Sequence, residues 1–170
     1  MKTNIFCRLT AMLLLLVLAL TLVSCGEDET PDEGTQTVSY TLTYQGTKIT
    51  LGEVADNVLA ALGTYQSKTE IGDCGGLGAQ VKYVYTDLTL YVLEGKNGNT
   101  VDQISINNDL ISTNEGISIG DDKAKVTEAY GTPTAQTSKK MEYQNGNKYL
   151  VFDLAEDGTV SAIVWKIVNQ

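Results

Sequence analysis

One pattern limits this chain more than any other: a segment near its middle is written twice. Ile49-Thr50-Leu51-Gly52-Glu53 runs through Val58 to Leu62-Gly63, and Ile117-Ser118-Ile119-Gly120-Asp121 runs through Val126 to Tyr130-Gly131. Gly52, Val58 and Gly63 each recur 68 positions later, as Gly120, Val126 and Gly131. Each copy opens apolar–polar–apolar–Gly and closes at another glycine eleven residues on. A repeat of this kind is one supersecondary unit used twice, and so small a unit has to share its core with its neighbour.

The glycines bracket a short helix in each copy. Val54, Val58, Leu59 and Leu62 fall on one face of the first helix, as do Val126, Ala129 and Tyr130 on the second. Glu53, Asp121 and Asp122 are expected in the first turns, where a carboxylate suits the helix dipole. Gly63 and Gly131 are placed to end the helices, and Pro133 blocks a restart. Helices this short are not stable in isolation.

Strand-like stretches follow each helix. In the first copy they are residues 80–86, 88–94 and 100–107, with a turn at Lys96-Asn97-Gly98-Asn99. In the second they are 139–143, 148–154 and 159–168, joined at Asn145-Gly146 and Asp157-Gly158, which are favoured tight-turn pairs. Ile104 matches Ile163 at an offset of 59, so the first copy holds about nine extra residues, expected in a loop over 66–79 that contains Cys74. Ahead of both copies Val38, Tyr40, Leu42 and Tyr44 alternate with polar residues, a half-buried strand pattern. The expected fold is α+β: two tandem helix-plus-antiparallel-three-strand units, 38–110 with the leading strand and 111–170, forming one sheet with the helices on one face.

The phrase Glu115-Gly116-Ile117-Ser118-Ile119-Gly120-Asp121-Asp122, with Val126 and Ala129-Tyr130-Gly131-Thr132-Pro133, resembles a known signature. It is that of small envelope lipoproteins of the SmpA/OmlA family and of domains related to β-lactamase-inhibitor proteins. The chain also resembles tandem-unit lipoproteins of anaerobic Gram-positive bacteria. The likeness spans about 120 residues, from Ile49 to Val168, and the first copy carries it more weakly. It implies two helix-plus-sheet units whose concave sheet grips a partner protein. Its marks are glycines and apolar spacing, so it speaks to fold rather than activity, and no partner-binding residue carries over.

The N-terminus reads as an export signal over residues 1–24. Lys2 and Arg8 form a basic start, residues 9–23 are almost wholly apolar, and Leu22-Val23-Ser24-Cys25 follows. The apolar core is shorter than the roughly 20 residues of a spanning helix. Leu22-Val23-Ser24-Cys25 resembles a bacterial lipobox, which implies a diacylglyceryl group on Cys25, cleavage between Ser24 and Cys25, and attachment to the membrane through palmitate-type acyl chains. Two acyl chains hold a protein stably where one does not. An ordinary secretory signal with a chance cysteine is the alternative. Residues 25–37 then form the lipidated start and an acidic tether: Glu27, Asp28, Glu29, Asp32 and Glu33 occur without a basic, aliphatic or aromatic side chain. The acidic run could instead bind cations or a basic partner. The expected location is the extracytoplasmic face of the cell membrane, on the outer surface or in a periplasm.

Chemistry is sparse. The chain has no histidine, which removes Ser-His-Asp and Cys-His catalysis and the commonest transition-metal ligand. Cys7 leaves with the signal and Cys25 takes the lipid, so Cys74 is expected as a free or buried thiol, with an intermolecular bond or a reactive nucleophile the alternatives. Its neighbours Glu70 and Asp73 disfavour a thiolate. Asp153, Asp157 and Gly158 match part of a calcium loop, but Ala155 and Val164 break it. The glycines at 72–78 lack the Lys-Ser/Thr of a phosphate loop. No catalytic residue, metal site or cofactor is expected. From Val38 onward 10 basic and 16 acidic residues leave a net charge near −6, unsuited to nucleic acid.

All nine tyrosines follow the tether, and Tyr83, Tyr85, Tyr91, Tyr143 and Tyr149 fall on expected strands. On a helix-free sheet face they would offer rigid amphipathic rings for binding; on the other face they are core. Trp165 alternates with Ile163 and Ile167 on one side of the last strand, leaving Val164, Lys166 and Val168 on the other. The functional expectation is a membrane-anchored, non-enzymatic protein- or peptide-binding module. The alternative is a small-ligand receptor or an accessory lipoprotein of a transporter or cell-wall system, which requires a deep pocket.

Overall fold

Both glycine-bounded segments are helical, α1 over Ala55–Leu62 and α2 over Lys123–Tyr130. Gly63 takes a φ of 70° and gives its N–H to the Leu59 carbonyl at 3.0 Å; Gly131 takes 74° and gives its own to Thr127 at 2.8 Å. A side chain would be strained at either φ, which is why glycine recurs there. The acidic residues sit slightly earlier than expected. The Glu53 carboxylate accepts from the Thr50 amide and that of Asp121 from the Ser118 amide, closing the turn before each helix. Asp122 is the N-cap of α2, accepting from the Ala124 N–H at 2.7 Å.

The computed structural model describes residues 38–73 and 78–168, which lie in one compact unit, Gln36–Gln170. Ser24, Cys25 and Cys74 fall outside the described residues. The strands are β1 (Thr41–Tyr44), β2 (Thr47–Thr50), β3 (Ser67–Asp73), β4 (Ala79–Val84), β5 (Leu88–Gly95), β6 (Gly98–Ile106), β7 (Ala135–Thr137), β8 (Lys140–Asn145), β9 (Lys148–Leu154) and β10 (Val160–Ile167). The fold is α+β: two short helices, an eight-stranded antiparallel sheet ordered β3-β4-β5-β6-β10-β9-β8-β7, and a separate hairpin β1-β2. No helix among the described residues is long and apolar enough to cross a membrane.

Two expectations are corrected here. Each helix is followed by four strands, not three, because β3 and β7 form the outer edges of the sheet. Ser67–Asp73, expected within the 66–79 loop from the offset between the two copies, is a strand instead; its sequence, SKTEIGD, shows no apolar alternation, and it is almost wholly exposed and held by backbone pairing to β4. The leading strand does not join the large sheet. It turns at Gln45-Gly46, both at positive φ (48° and 79°), and returns as β2.

The hairpin lies over the same sheet face as the helices. Tyr40 donates its hydroxyl to the Tyr143 carbonyl at 3.3 Å, Trp165 its ring N–H to the Ser39 carbonyl at 3.3 Å, and Lys148 its ammonium to the Leu51 carbonyl at 2.9 Å. Asn114, between β6 and α2, accepts from the Thr43 N–H and donates to the Thr41 carbonyl. Leu42 and Ile49 of the hairpin, Ala55 and Val58 of α1, and Val126 and Tyr130 of α2 join one core with Leu90, Ile104, Phe152, Ile163 and Trp165 of the sheet.

The two halves repeat one another down to single hydrogen bonds. Gly52 donates to the Val101 carbonyl and Gly120 to that of Val160, at 2.8 and 2.7 Å. Val101 donates back to Glu53, as Val160 does to Asp121. Isolated bridges join Val54 to Thr100 and Asp122 to Thr159. The pairing of β5 with β6 slips between Tyr91 and Val92, and that of β9 with β10 slips beside Val160 and Ala162. Both slips sit one strand from the centre, where a bulge strengthens the sheet's twist.

Candidate functional site

Among the described residues the sheet's second face carries no helix or hairpin, and its side chains can be followed across the strands by register. Directly paired residues share a face. One row runs Thr69–Lys82–Tyr91–Gln103–Lys166–Tyr149–Gln144 over seven strands. The next runs Ser67–Val84–Thr89–Ser105–Val164–Val151–Glu142–Ala135 over all eight. The face is therefore amphipathic: lysine, tyrosine and glutamine in one row, small apolar and hydroxyl side chains with Glu142 in the other.

Of the five tyrosines singled out from the sequence, the structure brings two to this face. Tyr91 and Tyr149 are half-buried, three strand spacings apart in the same row. Tyr83, Tyr85 and Tyr143 are corrected: at 6, 4 and 2 % exposure they belong to the core on the helix-covered side. Tyr83 packs edge-on to Tyr65, and Tyr143 packs against Tyr130 and Phe152. Tyr143 donates its hydroxyl to the Gly131 carbonyl at 3.0 Å. Tyr85, the matching residue of the first half, has a buried hydroxyl with no hydrogen-bond partner among the described residues. The sequence expectation for Ile163 and Trp165 holds, since both are fully buried.

Lysine and glutamine give the face its polar character. Lys82 places its ammonium 6.0 Å from the centre of the Tyr91 ring, within cation–π range. Gln103 donates to the Ser105 hydroxyl at 3.1 Å, and Thr89 to the Asn107 side-chain oxygen at 2.9 Å. Lys140 pairs with Glu142 at 2.9 Å. Among the described residues neither Lys82 nor Lys166 has a carboxylate at ion-pair distance. Sequence reading placed Lys166 and Val164 on this side of β10, but it missed Lys82 and Gln103 because their partners are set by cross-strand register.

Asp102, at the bulge of β6, accepts a 2.6 Å hydrogen bond from the Gln80 amide. Burial raises its carboxyl above the usual carboxylate range, and the Gln80 bond opposes that rise. The folded chain thus holds this proton more tightly than the unfolded chain, and the cost of ionising Asp102 appears as pH rises through the raised value. Asp102→Asn keeps an acceptor for Gln80 and removes the charge. It is expected to raise the Tm at neutral pH while leaving the Tm below pH 4 nearly unchanged, as read by thermal melts across pH. A lowered Tm at neutral pH would contradict this account of Asp102.

Among the described residues no three His, Cys, Asp or Glu side chains are grouped to hold a metal ion. The open face offers apolar surface, hydrogen-bonding amides and hydroxyls, and two lysines. No family model, no curated protein and no solved structure matches the chain.

Proposed function

We propose that this chain is an extracytoplasmic lipoprotein that holds a protein or peptide against its open sheet face and performs no catalysis. The observation that carries this reading is the unequal use of the two sheet faces. One face is packed beneath two helices and a hairpin, whereas the other presents Tyr91, Tyr149 and half-buried Val164 in a continuous amphipathic surface. Tyrosine on a rigid sheet offers contact area at little entropic cost. The histidine-free sequence lends no group for the commonest acid–base chemistry. Location rests on Ser24-Cys25 and the acidic residues after it, which would attach the domain to the membrane and hold it away from an anionic surface. The two halves are read as a duplicated helix-plus-sheet unit, in keeping with the inhibitor-like resemblance of the Ile117–Pro133 phrase.

Photocrosslinking in intact cells tests the reading. A crosslinking side chain at Tyr91 or Tyr149 is expected to capture discrete protein adducts in the membrane fraction. The same probe at exposed Glu128 on α2 is expected to capture none. Cys25→Ser should move both chain and adducts out of that fraction. Adducts from Glu128 but not from the tyrosines would overturn the choice of face.

A further inference from the structure

The contact row of the open face has a chemical preference of its own. Lys82 and Lys166 stand in that row with Tyr91 and Gln103 between them, and the row contains no carboxylate. Other acidic groups on the face are spoken for or set aside: Glu142 by Lys140, and Asp102 at the bulge with Gln80. Asp153 lies on the far side of the valine row, opposite Lys140 and Ala162. In a chain of net charge −9, a carboxylate-free row with two lysines is complementary to an anion, not to another basic surface.

Spacing narrows the kind of anion. Lys82 on β4 and Lys166 on β10 are three strand spacings apart, about 14 Å at about 4.8 Å per strand. Side chains rooted that far apart suit two anionic groups on one chain better than a single phosphate or carboxylate. An extended chain advances about 3.4 Å per residue, so four residues cover about 14 Å. Residues four apart in an extended chain also point the same way, and the residue midway between them faces the same surface. We infer that the open face selects an extended acidic segment of a partner protein, with carboxylates four residues apart on Lys82 and Lys166 and the intervening side chain over Tyr91 and Gln103. This deepens the binding-module reading and rests on it. A flat anionic membrane is the weaker occupant, because the chain's net negative charge repels it.

The test uses the full chain in neutral detergent and a labelled ten-residue peptide of alternating Thr and Tyr with Glu at two positions four apart. Comparison peptides carry Gln at both positions, or the two Glu three apart on opposite faces. The four-apart Glu peptide is expected to bind about tenfold more tightly than either, a preference lost at high salt. Lys82→Gln with Lys166→Gln should abolish the preference without moving the Tm, since both side chains are only half-buried. If Glu and Gln peptides bind alike and Val164→Arg abolishes both, the face binds peptides without using charge, and this inference alone falls. Unchanged binding of both peptides to Val164→Arg would overturn the face itself along with the inference. Association with phosphatidylglycerol vesicles but with no peptide would likewise overturn it.

Discussion

Trp165→Ala is expected to lower the unfolding free energy by about 3–5 kcal/mol, a large share of the roughly 5–15 kcal/mol that holds a domain of this kind together. Trp165 is fully buried on β10, with Ile104 of β6 opposite it on one side and Leu150 of β9 on the other. It therefore sits at the seam where the two halves of the sheet meet. Its ring N–H is also the bond that ties the Ser39 carbonyl, and so the start of the hairpin, to the sheet. Alanine there leaves a cavity and an unpaired carbonyl together. Trp165→Phe fills part of the space and should lose less. Urea unfolding followed by far-ultraviolet circular dichroism reads the difference, because the substitution removes the chain's single tryptophan. A loss below about 1 kcal/mol for Trp165→Ala would mean that the seam is not a shared core.

Above about pH 10, the ordinary value for tyrosine, stability should fall steeply. Burial pushes the Tyr143 hydroxyl up to about 12. Tyr130 is raised further, first by burial and then by its hydrogen bond to the Glu115 carboxylate. Tyr40, Tyr44 and Tyr85 are raised as well, with burial the first cause in each. In the unfolded chain these phenols lose their protons near pH 10, while the folded chain retains them, so the unfolded state binds fewer protons. The stability these groups contribute is whole below pH 10 and is lost as pH rises toward the raised values. Each phenol kept neutral in the core steepens the loss by about 1.4 kcal/mol per pH unit. Phenolate absorbance should thus rise cooperatively, in step with loss of circular dichroism. A smooth titration of every tyrosine near pH 10 with the fold intact would contradict the burial of Tyr130 and Tyr143.

Much of this fold could be read from residues alone, and the reasons differ by element. The helices were legible because Gly52, Gly63, Gly120 and Gly131 mark turns that need positive φ, and the repeat marks them twice. The inner strands were legible because one of their faces is core and the apolar residues alternate. β3 and β7 were not, since an exposed edge strand is held by backbone bonds that leave no hydrophobic period in the sequence. The leading segment showed its alternation but not its destination. The hairpin buries Tyr40, Leu42 and Tyr44, and an extra sheet strand half-buried on one face would show the same alternation. The extra residues of the first half lie between α1 and β4, as expected, but among the described ones Ser67–Asp73 form β3, paired to β4, and not loop.

The open face was the least legible part. A tyrosine in a strand looks the same whether it faces core or solvent, so Tyr83, Tyr85 and Tyr143 could not be told from Tyr91 and Tyr149 until their neighbours were known. The Lys82–Tyr91–Gln103–Lys166–Tyr149 row joins five strands and has no trace in any one of them. Burial by two helices and a hairpin sorts the tyrosines, and register assembles the row.

Val164 offers the most direct test of the claim that the helix-free face is the working surface. It is half-buried at the centre of that face, between Ser105 of β6 and Val151 of β9. A glutamate there can extend toward solvent from a half-buried position, so the fold should keep its stability to within about 1 kcal/mol, while its charge opposes an acidic partner. The measurement is the yield of adducts from a crosslinker at Tyr149 in intact cells, compared between Val164→Glu and Glu128→Arg, with thermal melts of both. Val164→Glu is expected to abolish the adducts at a nearly unchanged Tm, while Glu128→Arg leaves them intact. Full adduct yield from Val164→Glu, or its loss in Glu128→Arg, would contradict the choice of face.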